Sequence, residues 1–157
     1  MNPPNDNMNP EILDEHHKLF IQQSVESGEV WGLHCKDGWA NADSCEFEEV
    51  IVYPFWSSAA LAESCAIEEW NIYRPKSLDL AEFLENWCVG MYKEFILAGI
   101  NWNEKMEGKE IDSLDLALQI IQELKRLNKE LKYKLYKNQA DLEQVLLEVI
   151  SDERQTL

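Results

Sequence analysis

No stretch of this chain approaches the roughly 18 consecutive apolar residues that a membrane-spanning helix requires. Nor does its start look like a secretory signal: Met1 to Pro10 is polar and proline-rich, without the charged and apolar regions such a signal needs. The four cysteines, Cys35, Cys45, Cys65 and Cys88, are separated by 10, 20 and 23 residues. That spacing offers no C-x-x-C pair, so it excludes the common zinc and dithiol motifs. Glycine is scarce, at six residues. Neither a glycine-rich phosphate loop nor a G-x-S-x-G nucleophile turn is present. Basic residues are outnumbered, 14 Lys/Arg against 30 Asp/Glu, for a formal charge of −16. Binding to DNA, RNA or an anionic membrane is disfavoured, because neutralising phosphate takes clustered cations. These absences lead us to expect a cytoplasmic protein with reduced thiols, no membrane partner, no metal and no cofactor.

What is present is the material for a core. Apolar residues make up 45% of the 157, including six Trp, five Tyr and five Phe. A chain of this length buries roughly 68–70% of its extended surface and needs no covalent staples. We expect one domain with an appendage. The charge is uneven. Residues 1–124 hold seven Lys/Arg against 24 Asp/Glu, while residues 125–157 hold seven against six. An acidic body permits a basic protein partner or mimicry of nucleic acid, and it also serves as a plain solubilising surface.

Local signals divide the chain into a flexible arm (1–9), a domain (10–111) and a C-terminal helical arm (112–157). Asn9-Pro10 reads as a helix start, with Asn as N-cap and Pro at the first helical position. That helix should stop at Gly28. Glu29–Cys35 reads as a strand, and Lys36-Asp37-Gly38 as a hairpin turn. Trp39–Phe47 is a weaker strand or loop. Glu48–Tyr53 has the β-branched centre of a buried strand, ended by Pro54. Ser57 is a plausible N-cap for a helix over 58–68, and 72–77 a short strand. Asp79-Leu80-Ala81-Glu82 fits a capping box, with Leu78 and Phe83 as its hydrophobic staple. Gly90 is expected to split the following helix. Leu97–Trp102 is a final strand. The class is α+β: a mixed or mainly antiparallel sheet of four or five strands, flanked by helices, plus the arm.

Asp112 or Ser113 caps the arm. Apolar residues then recur at three-four spacing from Leu114 to Val149, with Asn128 and Asn138 on the same seam. The pattern spans about five heptads without Gly or Pro. It predicts either one projecting coiled-coil helix or a hairpin folded near Asn138. The arm is the candidate route to self-association or to a protein partner.

The chain is organised around Val50–Trp102. From Val25 to about Trp102 it resembles a bacterial family of proteins with an uncharacterised domain, domain-of-unknown-function family 2750. The resemblance rests on Gly28-Glu29-Val30-Trp31, then Tyr53-Pro54-Phe55-Trp56-Ser57 followed by alanines, Cys65 and Trp70. It continues through Leu78 to Phe83, Trp87, and Gly99-Ile100-Asn101-Trp102. It implies a small α+β domain and no activity. Two departures stand out. The turn before the last strand usually carries Gly where Glu94-Phe95 stands here, and the arm after Asp112 extends past the typical member.

Candidate chemistry is thin. His16 and His17 are adjacent on a helix, with no His-x-x-x-His or Glu-x-x-His spacing to make a ligand pair. His34 and Cys35 are neighbours on a strand and so point to opposite faces. The clusters Glu46, Glu48, Glu49 and Glu68-Glu69 read as solvated acids rather than a carboxylate pair held across a cleft. Trp56-Ser57 and Asn101-Trp102 stand at element ends, where clefts form. If the chain has a binding pocket, these four residues are its candidate lining. No catalytic residue is assigned. A non-enzymatic protein-interaction or regulatory module is the expected function, with a small-ligand binder or enzyme built on a Trp-lined cleft as the alternative.

Overall fold

The computed structural model describes residues 9–155. The expected flexible arm, apart from Asn9, lies outside the described residues. Helix α1 (Pro10–Ser27) starts where its cap predicts, with the Glu11 N–H donating to Asn9 Oδ1 at 2.8 Å. It ends at Gly28, whose left-handed φ of 76° lets the Gly28 N–H reach the Ser24 carbonyl. Only a residue without a Cβ adopts that turn freely.

Strands β1 (Glu29–Cys35), β2 (Gly38–Trp39) and β5 (Arg74–Asp79) form an antiparallel sheet in the order β2-β1-β5. The expected turn at Lys36-Asp37-Gly38 sets its register, with Cys35 opposite Gly38 and His34 opposite Trp39. Strands β3 (Ala42–Asp43), β4 (Ile51–Phe55), β6 (Leu97–Ile100) and β7 (Lys109–Ile111) form a second sheet in the order β3-β4-β6-β7. The α+β class is as expected, while the strands divide between two sheets. β7 is an addition: Leu97–Trp102 is not the last strand, because the chain turns at residues 101–108 and pairs back on β6. β4 and β6 run parallel. Parallel neighbours need a long crossover, and the segment between them supplies it. One bridge joins the sheets, with the backbones of Trp31 and Trp56 exchanging two hydrogen bonds of 2.8 Å.

Between β4 and β6 the expectations need two corrections. Ser58, not Ser57, caps α2 (Ala59–Ser64), which is shorter than the 58–68 helix expected. Ser57 is held elsewhere, as described below. Gly90 does not split the next helix. α3 (Leu80–Glu82), a π-helical turn (Phe83–Trp87) and α4 (Cys88–Lys93) run on without a break through Gly90. Asp79 caps this run through the Glu82 N–H.

The C-terminal segment is two helices, α5 (Ser113–Arg126) and α6 (Gln139–Gln155), so the unbroken five-heptad helix of a projecting coiled coil is not formed. α5 ends at Arg126, twelve residues before the expected fold at Asn138. Asn128 takes a left-handed φ of 55°, and the Lys129 N–H then closes on the Leu124 carbonyl at 2.8 Å. The connection is held by polar side chains. The buried Glu85 carboxylate accepts the N–H groups of Lys134 and Leu135, at 3.0 and 2.6 Å. Gln139 accepts from the Leu131 N–H and the Tyr133 hydroxyl, and donates to the Lys129 carbonyl. Asn138, placed on the seam by periodicity, instead accepts the Asp141 N–H at the start of α6.

The larger core gathers Phe20, Val25, Phe55, Phe83, Leu84 and Ile100 with Leu114, Ile121 and Leu124 of α5 and Leu142 and Leu146 of α6. Each fully buried side chain of this kind contributes about 1.5–3 kcal/mol relative to exposure. A second cluster holds Leu33, Val52, Ala62, Cys65, Trp56, Trp70 and Trp102, with Trp31 packed against it.

Candidate functional site

Trp56, Ser57, Asn101 and Trp102 come together because parallel β4 and β6 end side by side. Asn101 follows β6 directly, and its N–H donates to the Phe55 carbonyl at 2.9 Å, adding one rung past the ladder. Its φ of 45° is left-handed, a conformation asparagine tolerates better than most residues. The turn aims the side-chain amide at Ser57. The Ser57 N–H donates to Asn101 Oδ1 at 2.9 Å, and Asn101 Nδ2 donates to Ser57 Oγ at 3.1 Å. The Ser57 hydroxyl donates to Gln23 Oε1 on α1 at 2.5 Å. One layer deeper, the Trp56 indole N–H donates to the Trp102 carbonyl at 3.0 Å. The Trp102 indole N–H donates to the Lys109 carbonyl at 3.1 Å.

Burial settles what this cluster can do chemically. Trp56 is 0% exposed, Ser57 3%, Trp102 4% and Asn101 5%. Each donor and acceptor described here is occupied by another group of the protein. The Ser57 hydroxyl faces an amide oxygen rather than a base, so it has no group to take its proton. Trp102 is also locked sterically. A Cβ built on Gly99 would lie 2.6 Å from the Trp102 ring, and one built on Gly108 would lie 2.4 Å from it. The two glycines form a slot that only the indole fits.

Cysteine and histidine add no reactive pair. The Cys65 thiol points at the carbonyls of Trp102 and Asn103, both at 3.3 Å, and burial pushes its pKa up. Burial raises the Cys88 thiol much further. A protonated thiol is a poor nucleophile. His34 packs edge-on against Trp39. The His16 carbonyl accepts from Asn101 Nδ2. His17 Nε2 meets Gln119 Oε1, and burial lowers the ring's pKa. Among the described residues, no group of three His, Cys, Asp or Glu is arranged to hold a metal ion.

Open space lies beside the cluster rather than within it. Two cavities of about 460 Å³ flank Trp102, and both are lined by Cys45, Trp102 and Met106. One adds Asp14, Glu46, Glu107 and Glu110, the other Asp43 and Glu69. Glu110 is already engaged, accepting the Ser44 hydroxyl at 2.6 Å and the Cys45 N–H at 2.8 Å.

The sequence reading missed a different kind of site. Phe95 is 81% exposed and Phe47 is 56% exposed, and both line one groove of about 420 Å³. The available signals were Phe47 set among acids, in Glu46-Phe47-Glu48-Glu49, and Phe95 standing where the family usually carries glycine. Phe95 also has a left-handed φ of 60°. A glycine at that turn would be unstrained, which gives the departure at Glu94-Phe95 a physical meaning.

No curated protein and no solved structure matches the chain. A family profile does, over residues 17–120. That span is wider than the expected 25–102. It takes in most of α1 and the first part of α5, while α6 lies outside it. The chain therefore belongs to the family described as "Protein of unknown function (DUF2750)".

Proposed function

We propose that this protein is a non-enzymatic protein-interaction module, working in a reducing, cytoplasmic setting. The observation that carries the reading is the exposed aromatic pair, Phe47 and Phe95, on one groove of an acidic protein. Large apolar side chains scattered singly on a surface need no explanation, but two aromatics bordering one groove mark a contact face. The closed hydrogen bonding around Ser57 and Asn101 supports the same conclusion, since it leaves no group there to act on a substrate. Four free thiols suit the compartment. No helix among the described residues is long and apolar enough to cross a membrane.

Self-association through residues 112–157 has less support than contact with another protein. Leu114, Ala117, Ile121, Leu124 and Leu142, five of the nine apolar residues of the predicted seam, are buried against the rest of the chain. Leu127, Leu135, Val145 and Leu147 are the exposed large apolar side chains among the described residues from 112 to 153.

The test is photo-crosslinking in the native cell, with a benzophenone amino acid at position 95 and, separately, at exposed Ala60. The reading expects defined adducts, identified by mass and recurring between preparations, from position 95 alone. The same products from both positions, or none from either, would overturn it.

A small-ligand binder remains as a second reading because of the two cavities that share Cys45, Trp102 and Met106. A compound that both raises Tm and shields the exposed Cys45 from alkylation would favour it over the interaction module.

A further inference from the structure

The groove bordered by Phe47 and Phe95 is half of a longer feature. Beside it lies a second groove of about 300 Å³, with Tyr53, Trp87, Met91 and Glu94 in its walls. The two grooves meet at Ile96, which lines both. Val50, Tyr92 and Leu97 complete the apolar part of the first. Two adjoining apolar depressions with a shared ridge suit a segment that presents more than one apolar side chain along its length.

Acids outnumber cations here, with Glu94, Asp112 and Glu153 in the walls of the two grooves against Lys93. Glu46, Glu48 and Glu49 flank Phe47 and are exposed, as is Glu94 beside Phe95. Among the described residues that line the two grooves, Lys93 is the single cation. The backbone adds to the case. Glu49 and Phe95, at the ends of the two loops, both hold a left-handed φ of 60°. Such geometry at a non-glycine residue costs on the order of 1–3 kcal/mol and recurs at ligand clamps.

We propose that this double groove seats a cationic amphipathic segment of another protein. Its apolar side chains would enter on either side of Ile96, and its Lys/Arg side chains would face Glu94 and the exposed Glu48 and Glu49 beside Phe47. The proposal rests on the interaction-module reading and adds the chemistry of the partner. Charge selects this occupant over the others. A second copy of the chain would set these carboxylates against their own counterparts, in a molecule of net charge −16, and like charges across a contact are repulsive. An anionic membrane surface meets the same repulsion.

The test is calorimetric titration of the full chain with a synthetic peptide carrying Leu at i, i+3, i+4 and i+7 and Lys elsewhere. Three controls accompany it: a scrambled peptide of the same composition, a peptide with Glu in place of every Lys, and the double variant Phe47→Ser/Phe95→Ser. Both replaced side chains are exposed, so circular dichroism and Tm should show the variant folded. The proposal expects the cationic amphipathic peptide to bind, with affinity falling as salt is raised. Each control should weaken binding at least ~tenfold, the size of a single hot-spot loss. Equal binding of the scrambled peptide would reduce the effect to attraction between polyelectrolytes and overturn the proposal. Equal binding of the Glu peptide would overturn the charge assignment and leave the interaction module standing. So would a failure of every peptide while the crosslink at position 95 persists. Loss of both the crosslink and peptide binding would remove the two readings together. A concentration-dependent dimer in light scattering that disappears in the Phe47→Ser/Phe95→Ser variant would assign the groove to a second copy instead.

Discussion

The side chains of Ser57 and Asn101 close a ring of hydrogen bonds across the ends of β4 and β6. The Ser57 N–H donates to Asn101 Oδ1 at 2.9 Å, and Asn101 Nδ2 donates back to Ser57 Oγ at 3.1 Å. Both residues are at most 5% exposed, so water cannot replace either bond.

Asn101 therefore does two jobs that substitution can separate. Asn101→Ala removes both bonds, strands a buried N–H, and leaves at a φ of 45° a residue that tolerates left-handed geometry less well than asparagine. A stranded buried donor costs about 1–3 kcal/mol, and left-handed geometry adds about 1–2 kcal/mol for an ordinary L-residue. Asn101→Gly loses the same bonds without the backbone strain. Urea unfolding should show both variants destabilised, with Ala worse than Gly by about 1 kcal/mol. An Ala variant as stable as the Gly variant would mean that the turn relaxes and the left-handed geometry is not enforced.

The slot around Trp102 makes a contrast between two glycines. At Gly99 an added methyl meets the Trp102 ring at 2.6 Å, whereas at Gly90 it meets nothing within 4 Å. Gly99→Ala should destabilise by about 1–3 kcal/mol through overpacking. Gly90→Ala, within α4, should stabilise by about 0.5–1 kcal/mol by narrowing the unfolded ensemble and raising helix propensity. Denaturant midpoints check both signs. Two shifts in the same direction would show that the indole moves aside.

Local chemistry explains which parts of the fold were legible in the sequence. Asn9, Gly28, Asp79 and Asp112 act on backbone groups only two to four residues away, so the helix ends they set could be read directly. The interruption after α5 depends on Glu85, which is 49 residues from Lys134. Periodicity alone therefore carried the seam straight through a segment that is not helical. The candidate cluster was legible as two element ends, Trp56-Ser57 and Asn101-Trp102. Its closed character was not, because Gln23 on α1 and the Gly99–Gly108 slot close it from elsewhere in the chain. Phe95 stands out in the sequence only as a departure from the family's usual glycine, whereas the exposure of its ring follows from the fold.

His17 gives the protein a defined response to mild acid. Its Nδ1 is buried without a hydrogen-bond partner. Burial lowers its pKa from the ordinary 6.5, the bond to Gln119 opposes that shift, and nearby Lys109 reinforces it. Between the folded and unfolded pKa values the unfolded chain binds more protons, so folding stability falls as pH drops. The stabilisation is complete above the unfolded value of 6.5 and is lost progressively as pH falls toward the lower folded value. Denaturant midpoints for the wild type should therefore decline between about pH 7.5 and pH 5.5. A His17→Asn variant should decline less over the same interval. Parallel profiles would assign the acid response to other groups.

Phe95 offers a stability measurement that bears on function. Its side chain is 81% exposed, so it contributes little burial, while its backbone sits at a φ of 60°. Phe95→Gly should relieve that geometry and raise unfolding stability by about 1 kcal/mol, with no loss of core packing. The same change should weaken seating of an apolar side chain beside Ile96. Opposite effects on stability and on binding are what a residue kept for contact shows, since selection tolerates a modest loss of stability where a surface is used. If Phe95→Gly instead destabilises the protein, the ring has a structural role, and its exposure would no longer mark a contact face.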